Sequence, residues 1–169
     1  SISSSSNGGG CCVNNAAYTL AIKSSGFCLC RVTGNYNGGG LYGNVQESTI
    51  DTTCFDRCSS VEVSHVLDVT VKKGFLNSLS GVYTALCGSQ SSSGYRGLYH
   101  KKGNVKCKNT NISNCADGIG ATLRIDHTNS AEVAYTIATK TLTTAVLKAA
   151  GTATVTLTAS NLIFIGNTY

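Results

Sequence analysis

Residues 61–72 read Val61-Glu62-Val63-Ser64-His65-Val66-Leu67-Asp68-Val69-Thr70-Val71-Lys72. Val61, Val63, His65, Leu67, Val69 and Val71 fall on one side of this stretch, and Glu62, Ser64, Val66, Asp68, Thr70 and Lys72 on the other. Successive side chains of a β-strand point to opposite faces, so a period of two predicts a half-buried strand. The pattern returns at Leu123/Ile125, at Ala131/Val133/Tyr135/Ile137 and at Ala153/Val155/Leu157/Ala159, with Leu162 to Ile165 as a short run buried on both faces. Residues 142–150 are the one tempting helix. Their Thr-rich approach and the stop at Gly151 leave too short a segment, and the Thr and Val content favours strand there too.

Gly, Ser and Asn cluster at residues 1–10, 34–43 (GNYNGGGLYG) and 88–97 (GSQSSSGYRG), which read as loops or linkers. Many short strands without long helices need a second sheet to cover their apolar face. The expected architecture is therefore all-β: an antiparallel β-sandwich, jelly-roll or Greek key, with a flexible N-terminal arm. Residues 1–17 are expected to form the connector arm and residues 18–169 the sandwich domain.

A chain of 169 residues, 41% hydrophobic, suits one such domain and can bury a core without cross-links. No apolar run approaches the ~20 residues that cross a bilayer as a helix, so no membrane insertion is expected. The net charge of +5 is local. Arg96, Lys101, Lys102, Lys106 and Lys108 carry it with no acid between them, and the remaining eight bases balance the eight acids. Interleaved with Tyr95, Tyr99 and His100, this stretch has the composition of a nucleic-acid contact, but a solvated charged loop is the simpler reading and no nucleic-acid partner is expected.

The nine cysteines are an odd number, which internal disulfides cannot exhaust. Their density points to an oxidising, extracellular setting. Cys11 and Cys12 are adjacent, behind a tail with no apolar side chain after Ile2; neighbours in sequence bridge each other only under strain, so their partners are expected on another surface. Cys28-Leu29-Cys30 and the Cys54/Cys58 pair lack the two Cys-x-x-Cys knuckles of a zinc ribbon, so disulfides are expected there and no metal. Cys107 and Cys115 bracket a polar segment that a bridge would close, and the Asn111-Ile112-Ser113 sequon inside it makes Asn111 a glycan acceptor.

Chemistry is otherwise sparse. His65, His100 and His127 are the three histidines, and His127 stands beside Asp126. No Gly-x-Ser-x-Gly turn offers a nucleophile, no carboxylate pair is recognisable, and no Cys-x-x-Cys redox motif exists. The chain is expected not to be an enzyme and to need no cofactor.

The Cys11-Cys12 arm ahead of a β-rich domain resembles the subunits of bacterial endospore appendage fibres. So do Gly120-Ala121-Thr122-Leu123-Arg124-Ile125-Asp126, residues 133–137, and Gly151-Thr152-Ala153-Thr154-Val155-Thr156-Leu157 running into Leu162-Ile163-Phe164-Ile165-Gly166. The resemblance implies jelly-rolls stacked into helical or ring-built fibres by β-sheet augmentation, with the arm reaching neighbouring subunits. Cys11 and Cys12 would then be cross-linkers between subunits and Cys28 or Cys30 an acceptor. Cys54, Cys58, Cys107 and Cys115 would remain for disulfides within the subunit, a second acceptor coming from among these or Cys87. The functional expectation is a structural subunit of an extracellular, disulfide-cross-linked filament on a spore or cell surface, its partner being itself, together with a surface anchor protein. The alternative is a secreted β-sandwich binding module, lectin- or adhesin-like.

Overall fold

Among the described residues every strand pairing is parallel, and each joins residues 24 to 31 positions apart. The computed structural model describes residues 2–4, 7–33, 36–61, 66–88, 96–116, 121–126, 128, 130–151 and 156–168, without the side chains of 2–4 and 96. A chain that hydrogen-bonds to itself one turn later is a coil, and this one is a parallel β-solenoid.

The first coil comprises β1 (Ile2–Ser4), β2 (Cys11–Asn14) and β3 (Thr19–Cys28). The second holds β4 (Cys30–Val32), β5 (Leu41–Val45) and β6 (Glu47–Asp56), and the third β7 (Ser59–Ser60), β8 (Leu67–Val71), β9 (Leu76–Ser80) and β10 (Tyr83–Ala85). Two strands and one bridge residue make each later coil: β11 (Arg96–Lys101) and β12 (Asn104–Ser113), then β13 (Ala121–Asp126) and β14 (Ser130–Thr139), then β15 (Ala145–Ala150) and β16 (Thr156–Ile165). Three walls result. β1, β4 and β7 begin the first, which isolated bridges Gly88↔Ala116↔Leu142↔Thr168 continue; β2, β5, β8, β11, β13 and β15 form the second; β3, β6, β9 with β10, β12, β14 and β16 form the third.

The expected antiparallel β-sandwich, jelly-roll or Greek key, is corrected by this topology. Alternation in a single strand reports which face is buried and is silent on the direction of the neighbour. Each wall here buries its inner face against the other two, which meets the need of a parallel sheet for cover without a second sheet or helices. Of the segments likened to the late strands of appendage subunits, residues 121–126 lie on β13, 133–137 on β14 and 156, 157 and 162–165 on β16, stacked in parallel on successive coils, while Gly120 and residues 152–155, with the alternation expected at Ala153 and Val155, lie outside the described residues. Residues 1–17, expected as an arm, supply β1 and β2, the latter paired with β5.

Stacking puts like residues above like. Leu41, Leu67, Leu98 and Leu123 form one column inside the second wall, with Cys11 before them and Leu147 after. These four leucines are essentially inaccessible, and each contributes roughly 1.5–3 kcal/mol of apolar burial. Ile22, Ile50, Leu79, Cys107, Val133 and Ala159 form a second column inside the third wall.

Two further columns bend the chain. Ser24, Thr52, Gly81, Asn109, Tyr135 and Asn161 all have positive φ, and so do Leu29, Arg57, Leu86, Asn114, Lys140 and Gly166. The two members on any coil are five residues apart. A left-handed residue flips the alternation, so Val133 before Tyr135 and Thr136 after it both point inward, while Ile137, expected on Val133's face, points out.

Candidate functional site: open ends and a thiol column

β3 and β16 are the outermost strands of the third wall, β3 pairing only with β6 and β16 only with β14 among the described residues. Both are ten residues long, and both carry a left-handed residue at the sixth position, Ser24 and Asn161, followed five residues on by Leu29 and Gly166. Counting columns, the side chains at Leu20, Ile22 and Phe27 occupy the same inward positions as Leu157, Ala159 and Phe164. The run Leu162 to Ile165, expected to be buried, lies on this edge, and Ile165 is 60% exposed. An unpaired strand edge with apolar side chains beside it is a template for another strand.

The cysteines fall into three settings. Cys12 and Cys28 are exposed on the first coil and Cys11 half-buried beside them; Cys28 donates a 3.5 Å hydrogen bond to Asp56 Oδ2. Cys54 is half-buried on the outer face of β6, and Cys107 is buried inside the third wall, where desolvation pushes its thiol up to about 12. Cys30, Cys58, Cys87 and Cys115 are buried on the wall after the second corner, one to a coil. Their register follows from Arg31↔Ser59 and Gly88↔Ala116 and from the Cys58 N–H that donates to Cys87 Sγ at 3.3 Å. Each thiol also reaches the carbonyl two residues before it, from 3.3 to 3.7 Å. Burial, then the neighbouring Cys58, pushes Cys30 up to about 11. The structure thus sets Cys115 against Cys87, and places Cys58 across the Arg57 corner from Cys54.

Thiols in a line on one wall cannot converge on a tetrahedral centre, and among the described residues no three His, Cys, Asp or Glu side chains are gathered to hold a metal ion. Asp126 is engaged on the outer face of the second wall: Arg124 Nε donates to both its oxygens at 3.0 and 2.9 Å, and the Tyr99 hydroxyl donates at 2.9 Å. Lys101 Nζ lies 4.5 Å from the centre of the Tyr99 ring. The basic stretch is no loop. Lys101 lies on β11, Lys106 and Lys108 on β12, and Tyr99 and His100 are buried. Tyr95, His65 and His127 lie outside the described residues. Asn111 is exposed on the outer face of β12, where a glycan has room.

Within the lumen, His100 Nδ1 is 2.8 Å from Asn77 Oδ1. The Asn77 amide donates to the Lys101 carbonyl at 3.5 Å, which turns its oxygen to the ring, so Nδ1 carries the proton. Burial holds His100 down at about 4, and it is neutral at physiological pH.

Comparison with protein-family models, curated proteins and solved structures gave no significant match. The sequence signal that would have revealed the thiol column is the spacing of Cys30, Cys58, Cys87 and Cys115, which recur at 28, 29 and 28 residues.

Proposed function

We propose that this chain is a structural subunit of an extracellular filament, on a spore or cell surface, and that copies add head to tail by laying β3 of one against β16 of the next. The observation that carries this reading is the match of the two edges: equal length, left-handed corners at the same positions, and apolar side chains on the same inward columns. Set in that register, Phe27 of the added copy covers Phe164, and Leu20 covers Leu157. The stacking that joins successive coils within the chain then continues across the joint. Unlike patches meeting without closure generate an open fibre.

The same register brings Asn167 and Thr168 to the level occupied by Ile2–Ser4 of the added copy. The three-residue β1 gives way, which frees the N-terminal residues as the exchanged arm. Cys11, Cys12, Cys28 and Cys30 then meet Leu147, Lys148, Ile165 and Asn167, so the joint itself is not covalent. The exposed Cys12 and Cys28 serve instead for disulfides with neighbouring fibres, which confer durability through connectivity.

Negative-stain electron microscopy and X-ray fibre diffraction test this. Filaments with a meridional spacing of about 4.8 Å and an axial subunit repeat of about 29 Å, six coils at the strand separation, are expected. Reductant should loosen bundles without shortening single filaments. Monodisperse particles at all concentrations, or filaments that fall to monomers on reduction, would overturn the proposal.

A further inference from the structure

We infer that the thiol column is a built disulfide site, and that Cys30 bridges Cys58 while Cys87 bridges Cys115, stapling consecutive coils from inside. This does not depend on the filament reading. Parallel neighbours in register lie about 4.8 Å apart at Cα, inside the ~4.4–6.8 Å window that a disulfide requires. Arg31↔Ser59 and Gly88↔Ala116 set Cys30 beside Cys58 and Cys87 beside Cys115, and the Cys58 N–H reaches Cys87 Sγ at 3.3 Å, so the four lie in one continuous column.

The pairing follows from what ends the column. In register beyond Cys30 is Ile2, and beyond Cys115 is Thr141, whose hydroxyl donates at 2.7 Å to Asn167 Oδ1. Each terminal cysteine therefore has one cysteine next to it in the column. If all four oxidise, the inner pair must divide, Cys58 to Cys30 and Cys87 to Cys115. These are not the pairs that spacing along the chain suggests: Cys107 lies on a different wall from Cys115, and Cys54 faces outward while Cys58 faces in.

The electrons go to a low-molecular-weight disulfide such as oxidised glutathione. A protein thiolate attacks it, forming a mixed disulfide and releasing one small thiol; the neighbouring protein thiol then displaces the second. Two protein S–H bonds are lost and one protein S–S bond forms, while the two hydrogens leave on the two released small thiols. Because all four sulfurs are buried in the finished solenoid, exchange belongs to folding, before the next coil closes over the last.

The test is refolding of the full chain from denaturant with reduced and oxidised glutathione, alkylation of residual thiols, tryptic digestion without reduction, and mass spectrometry. Cleavage after Arg57 separates Cys54 from Cys58, and fragmentation of the 24–31 peptide tells Cys28 from Cys30, so the alternatives are distinguishable. Linked peptides joining Cys30 to Cys58 and Cys87 to Cys115, with Cys107 alkylated, are expected. The oxidised protein should also show a higher denaturant midpoint, abolished by a phosphine reductant, and Cys107→Ala should keep both links. Alkylation of all four column cysteines, or linkage of Cys54 to Cys58 or of Cys107 to Cys115, would overturn the assignment.

Discussion

Phe27 and Phe55 stack on consecutive coils, with ring centroids 4.9 Å apart and planes within 10° of parallel. The contact spans 28 residues of sequence and one strand separation of space, and it stands in the column that Phe164 ends. Phe55 is fully buried. Phe55→Ala removes the ring that fills the lumen at that level and should destabilise the chain by about 3–5 kcal/mol in urea denaturation, of which the stacked pair accounts for roughly 0.5–1.5 kcal/mol.

Leu86 has a φ of 52° and is 51% exposed, so it carries the left-handed penalty with little burial in return. Asn occupies the same corner one coil on, at Asn114, and the other corner column at Asn109 and Asn161. Leu86→Asn should raise stability by about 1 kcal/mol, seen as a higher melting temperature. A fall would mean that the side chain does more at this corner than its exposure indicates.

His100 titrates at about 4 when folded, against its ordinary 6.5. As pH falls, the unfolded chain binds the proton first. The contribution is therefore fully present above 6.5 and is lost between 6.5 and 4, amounting to an order of 3 kcal/mol. His100→Gln should flatten that part of the stability curve relative to the parent, measured by denaturant titration at several pH values. An unchanged slope would place the pH dependence elsewhere.

Lys at an inward position of the exposed edge should block stacking while leaving the fold intact, because a charge there would be desolvated only in the fibre. Leu157→Lys is the variant of choice. Sedimentation is expected to show filaments for the parent and monomers for the variant, with unchanged circular dichroism. Lys106→Ala, on the outer face of β12 and away from both edges of the wall, should leave assembly as it is.

Much of the local structure was legible. The alternation at residues 67–71 and 130–134 does mark strands, and the Thr and Val content around residues 142–150 correctly argues for β over helix, as β15 shows. Strand direction was not, because Val69 points inward whether its neighbour is Gly43 one coil back or a strand folded back on a tight turn. Corners defeated the pattern as well. Tyr135 and Ile137 continue the alternation of Ala131 and Val133 on paper, and the left-handed turn at Tyr135 breaks it. The informative period was an order of magnitude longer than two. It is written in Leu41, Leu67, Leu98, Leu123 and Leu147, and in the recurring cysteines, as chemistry repeated once per coil. The cysteine settings were misjudged for the same reason: spacing along the chain pairs Cys107 with Cys115, whereas stacking sets Cys115 beside Cys87.

The two corner columns keep a fixed five-residue stride through every coil, yet the leucine column of the second wall advances by 26, 31, 25 and 24 residues. All the slack in coil length is thus taken up on one flank, between the first wall and the second or just past the second. That flank is where foreign peptides could be grafted without disturbing the frame. An array of stacked copies would then display such a passenger at regular intervals along its length, like rungs bearing cargo on one side of a ladder.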